Sequence, residues 1–186
     1  MVPLTALWLP ILLAAVIVFV GSSILHMVLR YHRSDYRQIQ KEESVLISLR
    51  DAGVTRGVYM FPYVCGFEEH KKPEVQAKFR QGPVGILTVL PNGQMNMGLY
   101  LGRWFVYCLV VSFFVAYLTG RTLPPGTHYL QVFRVAGTAA FMTYGLAQIG
   151  NYIWGGQPGG NTAKHVLDGL IYGLLTAGTF GWLWPH

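Results

Sequence analysis

The stretch that decides the fold is LTALWLPILLAAVIVFVGSSILHMVL, residues 4–29, which contains no lysine, arginine, aspartate or glutamate. A helix needs about 20 apolar residues to cross the hydrocarbon core of a bilayer. The run exceeds that length. It is also longer than the apolar core of a signal peptide, and no basic residue precedes it. It therefore predicts a retained transmembrane helix within residues 1–30.

Three further apolar runs, at residues 99–120, 128–152 and 163–184, have a similar length. Lipid offers no hydrogen bonds to the backbone, so isolated spans must be helical. We therefore expect an all-α transmembrane fold, a four-helix membrane bundle whose second to fourth helices lie within residues 99–186.

The composition agrees with a membrane protein, because only 12% of the 186 residues are charged and the mean hydropathy is +0.37. A soluble domain carries about 25% charged residues. These values exclude a disordered chain, a coiled coil and a collagen-like fibre. They also argue against an ordinary soluble enzyme.

The segment between the first two apolar runs, residues 31–98, contains most of the charged residues. It includes a helical pattern at residues 41–52 and two strand-like runs, GVYMFPYV and GILTVLP. Basic residues crowd against the end of the first run, which places the segment in the cytoplasm by the positive-inside rule. We expect a small cytoplasmic α+β appendage, with both chain termini on the other side of the membrane.

The formal net charge of +6 does not predict nucleic-acid binding. Ten of the 14 basic residues lie between Arg30 and Arg80, but seven of the 8 acidic residues share that segment. The local excess is therefore only 10 − 7 = +3, on a mixed surface. Attraction to anionic lipid explains this distribution better than a nucleic-acid groove.

Polar residues of the four predicted spans fall at one depth and form a candidate intramembrane layer. Its members are Ser22, His26, Arg103, Gln148, Asn151, His165, Asp168 and Tyr172. Asp168 is the only acid in any predicted span, and Arg103 is its natural ion-pair partner. Such residues face the interior of a bundle, where they hold helices together or serve a ligand, proton or metal site. Both alternatives stay open at this point.

His26 and His165 are the candidate metal or haem ligands, because imidazole binds both and the two residues lie on different spans. The chain has no HExxH or CxxCH motif. We predict no cofactor from these two residues alone.

A stripe of small residues, each four positions from the next, follows Asp168. It consists of Gly169, Gly173, Ala177 and Gly181. Small residues let two helix backbones approach closely within lipid. The stripe predicts tight packing against another helix, of this chain or of a second protomer.

Three further blocks of the sequence are HRSDYR (residues 32–37), GPVGILTVLPNG (residues 82–93) and DGLIYGLLTAGTFGWLWP (residues 168–185). They resemble the corresponding blocks of a family of small four-span bacterial membrane proteins with no known activity. The resemblance implies a multi-pass protein of the bacterial inner (plasma) membrane. It implies no chemistry and no functional residue.

The sequence favours a non-enzymatic accessory or interaction component of the membrane, because no catalytic motif is present. The expected partners are the lipid bilayer and a second copy of the chain or another membrane protein. One alternative is a membrane redox protein that binds metal or haem through His26 and His165. A third possibility is a small oligomeric transporter.

Overall fold

The computed structural model describes residues 1–186, is 69% helical and contains one small two-stranded sheet. In chain order its elements are α1 (Trp8–Ser23), α2 (Glu42–Asp51), β1 (Gly57–Phe61), α3 (Phe67–His70), α4 (Pro73–Gln81), β2 (Gly85–Val89), α5 (Met97–Thr122), α6 (Tyr129–Tyr144), α7 (Ile149–Gly155) and α8 (Gly159–Trp182). The chain forms two compact units, residues 1–36 with 96–186, and residues 37–95.

The first unit is helical, and its core lies between α1, α5, α6 and α8. Helix α8 packs most extensively against α6 and also contacts α1, which in turn packs against α5. The largest fully buried apolar side chains come from all of these helices and the turn before α1: Leu7, Val18, Val115, Val132 and Phe180. Glycines and alanines on α6 and α8 let those two backbones approach closely, which explains their extensive contact.

The predicted four-helix membrane bundle with four spans is wrong. Only two helical segments are long and apolar enough to cross a membrane, Leu4–Val28 with 25 residues and Met97–Thr122 with 26 residues. They correspond to the first and second predicted spans.

The third and fourth predicted spans fail for different physical reasons. The run 128–152 is not one helix, because α6 ends at Tyr144 after 16 residues and a 3₁₀ turn with the short helix α7 follows. Gly145, which breaks the run, is a poor helix former. Helix α8 has 24 residues, but glycines, threonines and the polar side chains of its first half lower its hydropathy.

The second unit contains α2, α3 and α4 with the antiparallel pair β1 and β2. Gly57 pairs with Val89 and Phe61 with Gly85, so the strands are in register along their whole length. Helices α3 and α4 connect the strands, and Pro73 begins α4 where its missing N–H costs no hydrogen bond. This unit covers most of the segment 31–98 for which an α+β structure was expected, whereas residues 31–36 belong to the first unit.

Candidate functional site

A sharp turn after α1 creates the candidate site. Helix α1 continues as a π-helix over Ile24–Val28, and Arg30 then takes a left-handed backbone conformation with φ of 53°. A 3₁₀ turn, Tyr31–Asp35, follows and contacts α8. The turn brings the ring of His32 onto the ring of His26, with 4.4 Å between ring centroids and 9° between planes. π-Helical turns and left-handed non-glycine residues are often found at functional sites.

The turn and the first half of α8 together form a cluster of six ionisable side chains, called here the histidine–aspartate cluster. Its members are His26, His32, Asp35, Lys164, His165 and Asp168. Both carboxylates are buried, with side chains exposed to only 6% at Asp35 and 3% at Asp168. Buried charges require partners, and the cluster supplies them from both elements.

The protonation of His26 is fixed at one ring nitrogen. Its Nδ1 lies 3.0 Å from the backbone oxygen of Ser22, which can only accept a hydrogen bond. Nδ1 must therefore carry a proton, and in the neutral ring Nε2 is left with a lone pair. That Nε2 lies 3.9 Å from Oδ2 of Asp168. Two electron-rich atoms therefore face each other.

His32 lies between two carboxylates. Its Nδ1 is 2.5 Å from Oδ2 of Asp35, and its Nε2 is 2.7 Å from Oδ2 of Asp168. A neutral imidazole has one N–H, so it can donate to only one of the two carboxylates. The hydroxyl of Tyr31 also donates a hydrogen bond to Oδ1 of Asp168.

Lys164 neutralises one of the two carboxylates. Its Nζ lies 2.6 Å from Oδ1 of Asp35 and donates further hydrogen bonds to Ser34 and to the backbone oxygen of Tyr31. Burial raises the pKa of Asp35, but hydrogen bonds from Lys164 and His32 outweigh it and hold the pKa below its usual value. Asp35 is therefore a carboxylate that already has a cationic partner.

Two further groups of α8, which is not one of the two candidate spans, have shifted pKa values. Burial lowers the pKa of His165, and the neighbouring ring of His32 lowers it further. Burial also raises the pKa of Asp168, which the nearby His26 opposes. Both shifts disfavour charge on groups that have no ion partner comparable to Lys164.

Two groups of potential metal ligands share His32. One consists of His26, His32 and Asp168, and the other of His32, Asp35 and His165. In each group the ligand atoms lie within 4.8 Å of one another. Because Asp35 is already paired with Lys164, the first group is the better candidate for a cation.

A cavity of about 530 Å³ adjoins this first group. Its polar end is formed by His26, His165 and Asp168, and its remaining wall is largely apolar, with Leu101 and Trp104 among the lining residues. Ligand pockets in proteins have volumes of about 300–1,000 Å³ and combine apolar walls with a few polar groups. The cavity has both properties.

The structure brings six residues of the predicted polar layer to the cluster or the cavity wall: Ser22, His26, Gln148, His165, Asp168 and Tyr172. Ser22 accepts a hydrogen bond of 2.8 Å from the indole of Trp104. Gln148 accepts one from Asn151. The hydroxyl of Tyr172 is buried with no hydrogen-bond partner.

Arg103 and Asn151 lie outside the cavity wall, and both side chains are exposed. The expected ion pair between Arg103 and Asp168 does not form. Asp168 is bound instead by Tyr31 and His32, which follow the predicted end of the first span.

The stripe of small residues on α8 faces α6 of the same chain. A side chain at Gly169 would meet the backbone of Gly145, one at Gly173 would meet Phe141, and one at Gly181 would meet Tyr129. Ala177 lies against Gly137. The stripe therefore lies in the contact between α6 and α8.

Sequence reasoning missed four members of the site: Tyr31, His32, Asp35 and Lys164. Tyr31, His32 and Asp35 lie beyond the predicted end of the first span, and Lys164 lies at the start of the fourth predicted span but was not included in the polar layer. The pair His32 and Asp35, three positions apart, was the one available indication, because a single helical turn places such residues side by side. The reversal at Arg30 had no signature in the sequence.

No family model, no curated protein and no solved structure matches this chain. The resemblance to a family of four-span bacterial membrane proteins therefore stays a prediction.

Proposed function

We propose that this chain is a membrane protein that binds one divalent first-row transition-metal ion through His26, His32 and Asp168. The carrying observation is that two imidazole Nε2 atoms converge on one buried carboxylate oxygen. The membrane location and the metal site rest on different observations.

Membrane association is supported by the outward faces of the two candidate spans. Exposed apolar side chains run along both helices: Leu9, Leu12, Val16 and Val20 on α1, and Val106, Val110, Phe113 and Phe114 on α5. Soluble monomers rarely expose contiguous apolar patches above a few hundred Å². Contact with lipid removes the cost of this exposure.

Metal binding is supported by the electron-rich character of the site. Nε2 of His26, which carries the lone pair of the neutral ring, lies 3.9 Å from Oδ2 of Asp168, and the neutral ring of His32 has one proton for two carboxylates. A cation at the centre resolves both conflicts. A divalent ion fits this role because imidazole and carboxylate are its common ligands.

The distances between the candidate ligand atoms lie on either side of the distance expected between neighbouring ligands of one metal ion. Bonds of about 2.0–2.1 Å in a tetrahedral site place neighbouring ligand atoms roughly 3.3 Å apart. Oδ2 of Asp168 lies 2.7 Å from His32 Nε2 and 3.9 Å from His26 Nε2. Shifts of about 0.6 Å therefore bring both distances to the required value, and one of the two nearly parallel rings must also tilt so that both lone pairs point at the ion.

The groups behind the two histidines support the same assignment. A metal-binding histidine usually donates its other N–H to a carboxylate or a backbone carbonyl, which orients the ring. Nδ1 of His32 faces Asp35, and Nδ1 of His26 donates to the carbonyl of Ser22. Both rings therefore present Nε2 to the site.

A single ion fits better than haem. Bis-histidine haem requires a planar macrocycle between two imidazoles. Here the rings of His26 and His32 stack at 4.4 Å and direct their Nε2 atoms to the same carboxylate. His165 belongs to the other ligand group. Metal binding assigns no reaction, so the accessory role favoured by the sequence stays a prediction.

The test is metal binding by the full chain, purified in a mild detergent, stripped with a chelator and titrated with Zn²⁺ or Co²⁺. We expect one ion per chain. Changing an outer partner of a metal ligand costs about 10–100-fold in affinity, so His32→Gln and Asp168→Asn, which remove ligands, should cost at least that much. Asp35→Asn should have the smaller effect.

His70→Gln is the matched control, because His70 lies in the second unit. It should leave metal affinity unchanged. If a ligand variant unfolds, His26→Gln provides the test, since the His26 side chain is 43% exposed and its loss disturbs packing least. Absence of stoichiometric binding by the wild type would refute the proposal. So would unchanged affinity in folded ligand variants, which would show that the ion binds elsewhere on the chain.

A further inference from the structure

The proposed metal site has a side that no protein ligand covers. Three protein ligands leave at least one coordination position open for water or substrate, as in catalytic zinc sites. His26 and Asp168 both line the cavity, whereas His32 approaches from the turn after α1. An open position of the ion therefore faces the cavity.

The cavity suits a ligand with a hydrocarbon tail. Away from the cluster its wall includes the apolar side chains of Met27, Met97, Leu101 and Trp104. Burying each methylene group contributes about 0.8 kcal/mol, so a tail of several carbons gains substantial affinity there. The volume of about 530 Å³ exceeds what one metal-bound water needs.

The charge of the site selects the head group of that ligand. Lys164 and Asp35 neutralise each other at 2.6 Å. A divalent ion with Asp168 as its one carboxylate ligand and two neutral histidines leaves a formal charge of +2 − 1 = +1. Beside the largely apolar wall of the cavity, this charge favours an anionic oxygen ligand over a neutral alcohol.

From these three observations we infer that the cavity binds a single-chain carboxylate, a fatty-acid-like amphiphile. Its carboxylate occupies the open position of the ion, and its tail lies between α1, α5 and α8. The inference rests on the proposed metal site and adds the chemical class of the molecule that reaches it.

The test uses the full chain in nanodiscs of phosphatidylcholine, loaded with Co²⁺, whose visible spectrum changes with its coordination. Octanoate, 1-octanol and acetate are titrated separately. Octanoate should change the spectrum, and 1-octanol should not. Acetate should require a concentration at least about a hundredfold higher, because it lacks six methylene groups.

Leu101→Trp fills the cavity on α5 and should weaken octanoate binding at least about tenfold while Co²⁺ still binds. Leu118→Trp is the control on the same helix, because Leu118 is exposed and does not line the cavity. If Leu101→Trp fails to fold, Met97→Trp replaces it as a second cavity-filling variant.

The outcomes separate the two proposals. Failure of the wild type to bind Co²⁺ would refute the metal site. Stoichiometric Co²⁺ binding with no spectral response to octanoate would refute only the carboxylate ligand. An equal response to octanoate and acetate would show an open metal without a tail site. Binding of 1-octanol with the affinity of octanoate would show that the tail alone binds, with no contribution from a carboxylate on the ion. Either result would overturn the inference.

Discussion

Gly169→Ala is the substitution for which the packing of α8 predicts the clearest effect. A methyl group at Gly169 would lie 2.2 Å from Cα and 2.3 Å from the backbone nitrogen of Gly145, and 2.6 Å from the carbonyl carbon of Tyr144. All three are backbone atoms at the end of α6. No side-chain rotation can therefore relieve the overlap.

The magnitude follows from the size of that overlap. Ordinary contact begins at 3.4 Å, so the two backbones must separate by 3.4 − 2.2 = 1.2 Å at this point. Overpacking a well-packed core costs about 1–3 kcal/mol, and a backbone obstacle places this site at the upper end. Alanine regains about 1 kcal/mol in helix propensity. We expect a net loss of about 2 kcal/mol.

Thermal unfolding in one detergent measures this loss. For a chain of 150–250 residues, about 2 kcal/mol corresponds to a decrease in Tm of roughly 4–8 °C. Gly102→Ala on α5 is the control, because a methyl group added at Gly102 would have no atom within 4 Å. It should leave Tm unchanged or raise it slightly through helix propensity. A Gly169→Ala protein that melts at or above the wild-type temperature would refute the close approach of α6 and α8.

Three further predictions concern other contacts. Gly173→Leu should lower Tm strongly and Gly173→Ala only slightly, because a methyl group added at Gly173 would lie 3.2 Å from Cβ of Phe141, whereas a leucine side chain would overlap with it. Equal Tm values for the two variants would contradict this. Trp104→Phe should cost about 1 kcal/mol in chemical unfolding, through loss of the 2.8 Å hydrogen bond to Ser22. In metal-free protein, the depressed pKa of Asp35 contributes stability above its ordinary value of 3.8, which is lost as pH falls through the lower folded value. Asp35→Asn should therefore be less stable than wild type at pH 6, with the difference shrinking as pH falls below 3.8; a constant difference would refute the shift.

Apolar runs in the sequence predicted the helices correctly where no residue interrupts the run. The stretches at residues 4–29 and 99–120 correspond to the two candidate spans, because nothing in them breaks a helix. Hydropathy alone did not reveal the break after Tyr144, where the backbone of Gly145 leaves the helix to pass Gly169. A single glycine weakens a helix without ending it, so the close packing of Gly145 against Gly169 decided that position.

The candidate site was predictable in part from the depth and spacing of polar residues in the predicted spans. Depth and helical spacing indicated His26, His165 and Asp168, and these three do line the cavity. His32 lies in the charged segment after the predicted first span, so neither depth nor spacing indicated that it belongs with these three residues. The left-handed conformation of Arg30 reverses the chain, and an arginine gives no indication of such a conformation.

The π-helix at Ile24–Val28 makes the site depend on the number of residues before it as well as on their identity. Its hydrogen bond from Leu29 N to Ile24 O spans one residue more than an α-helical bond. The wider turn takes up this extra residue, so the residues after it keep nearly the face that an α-helix one residue shorter would give them. Adding or deleting one residue before the turn, in α1 itself, would instead rotate His26 and the turn after it by about 100° relative to the start of α1. The number of α1 residues before Ile24 therefore sets whether His26 faces Asp168.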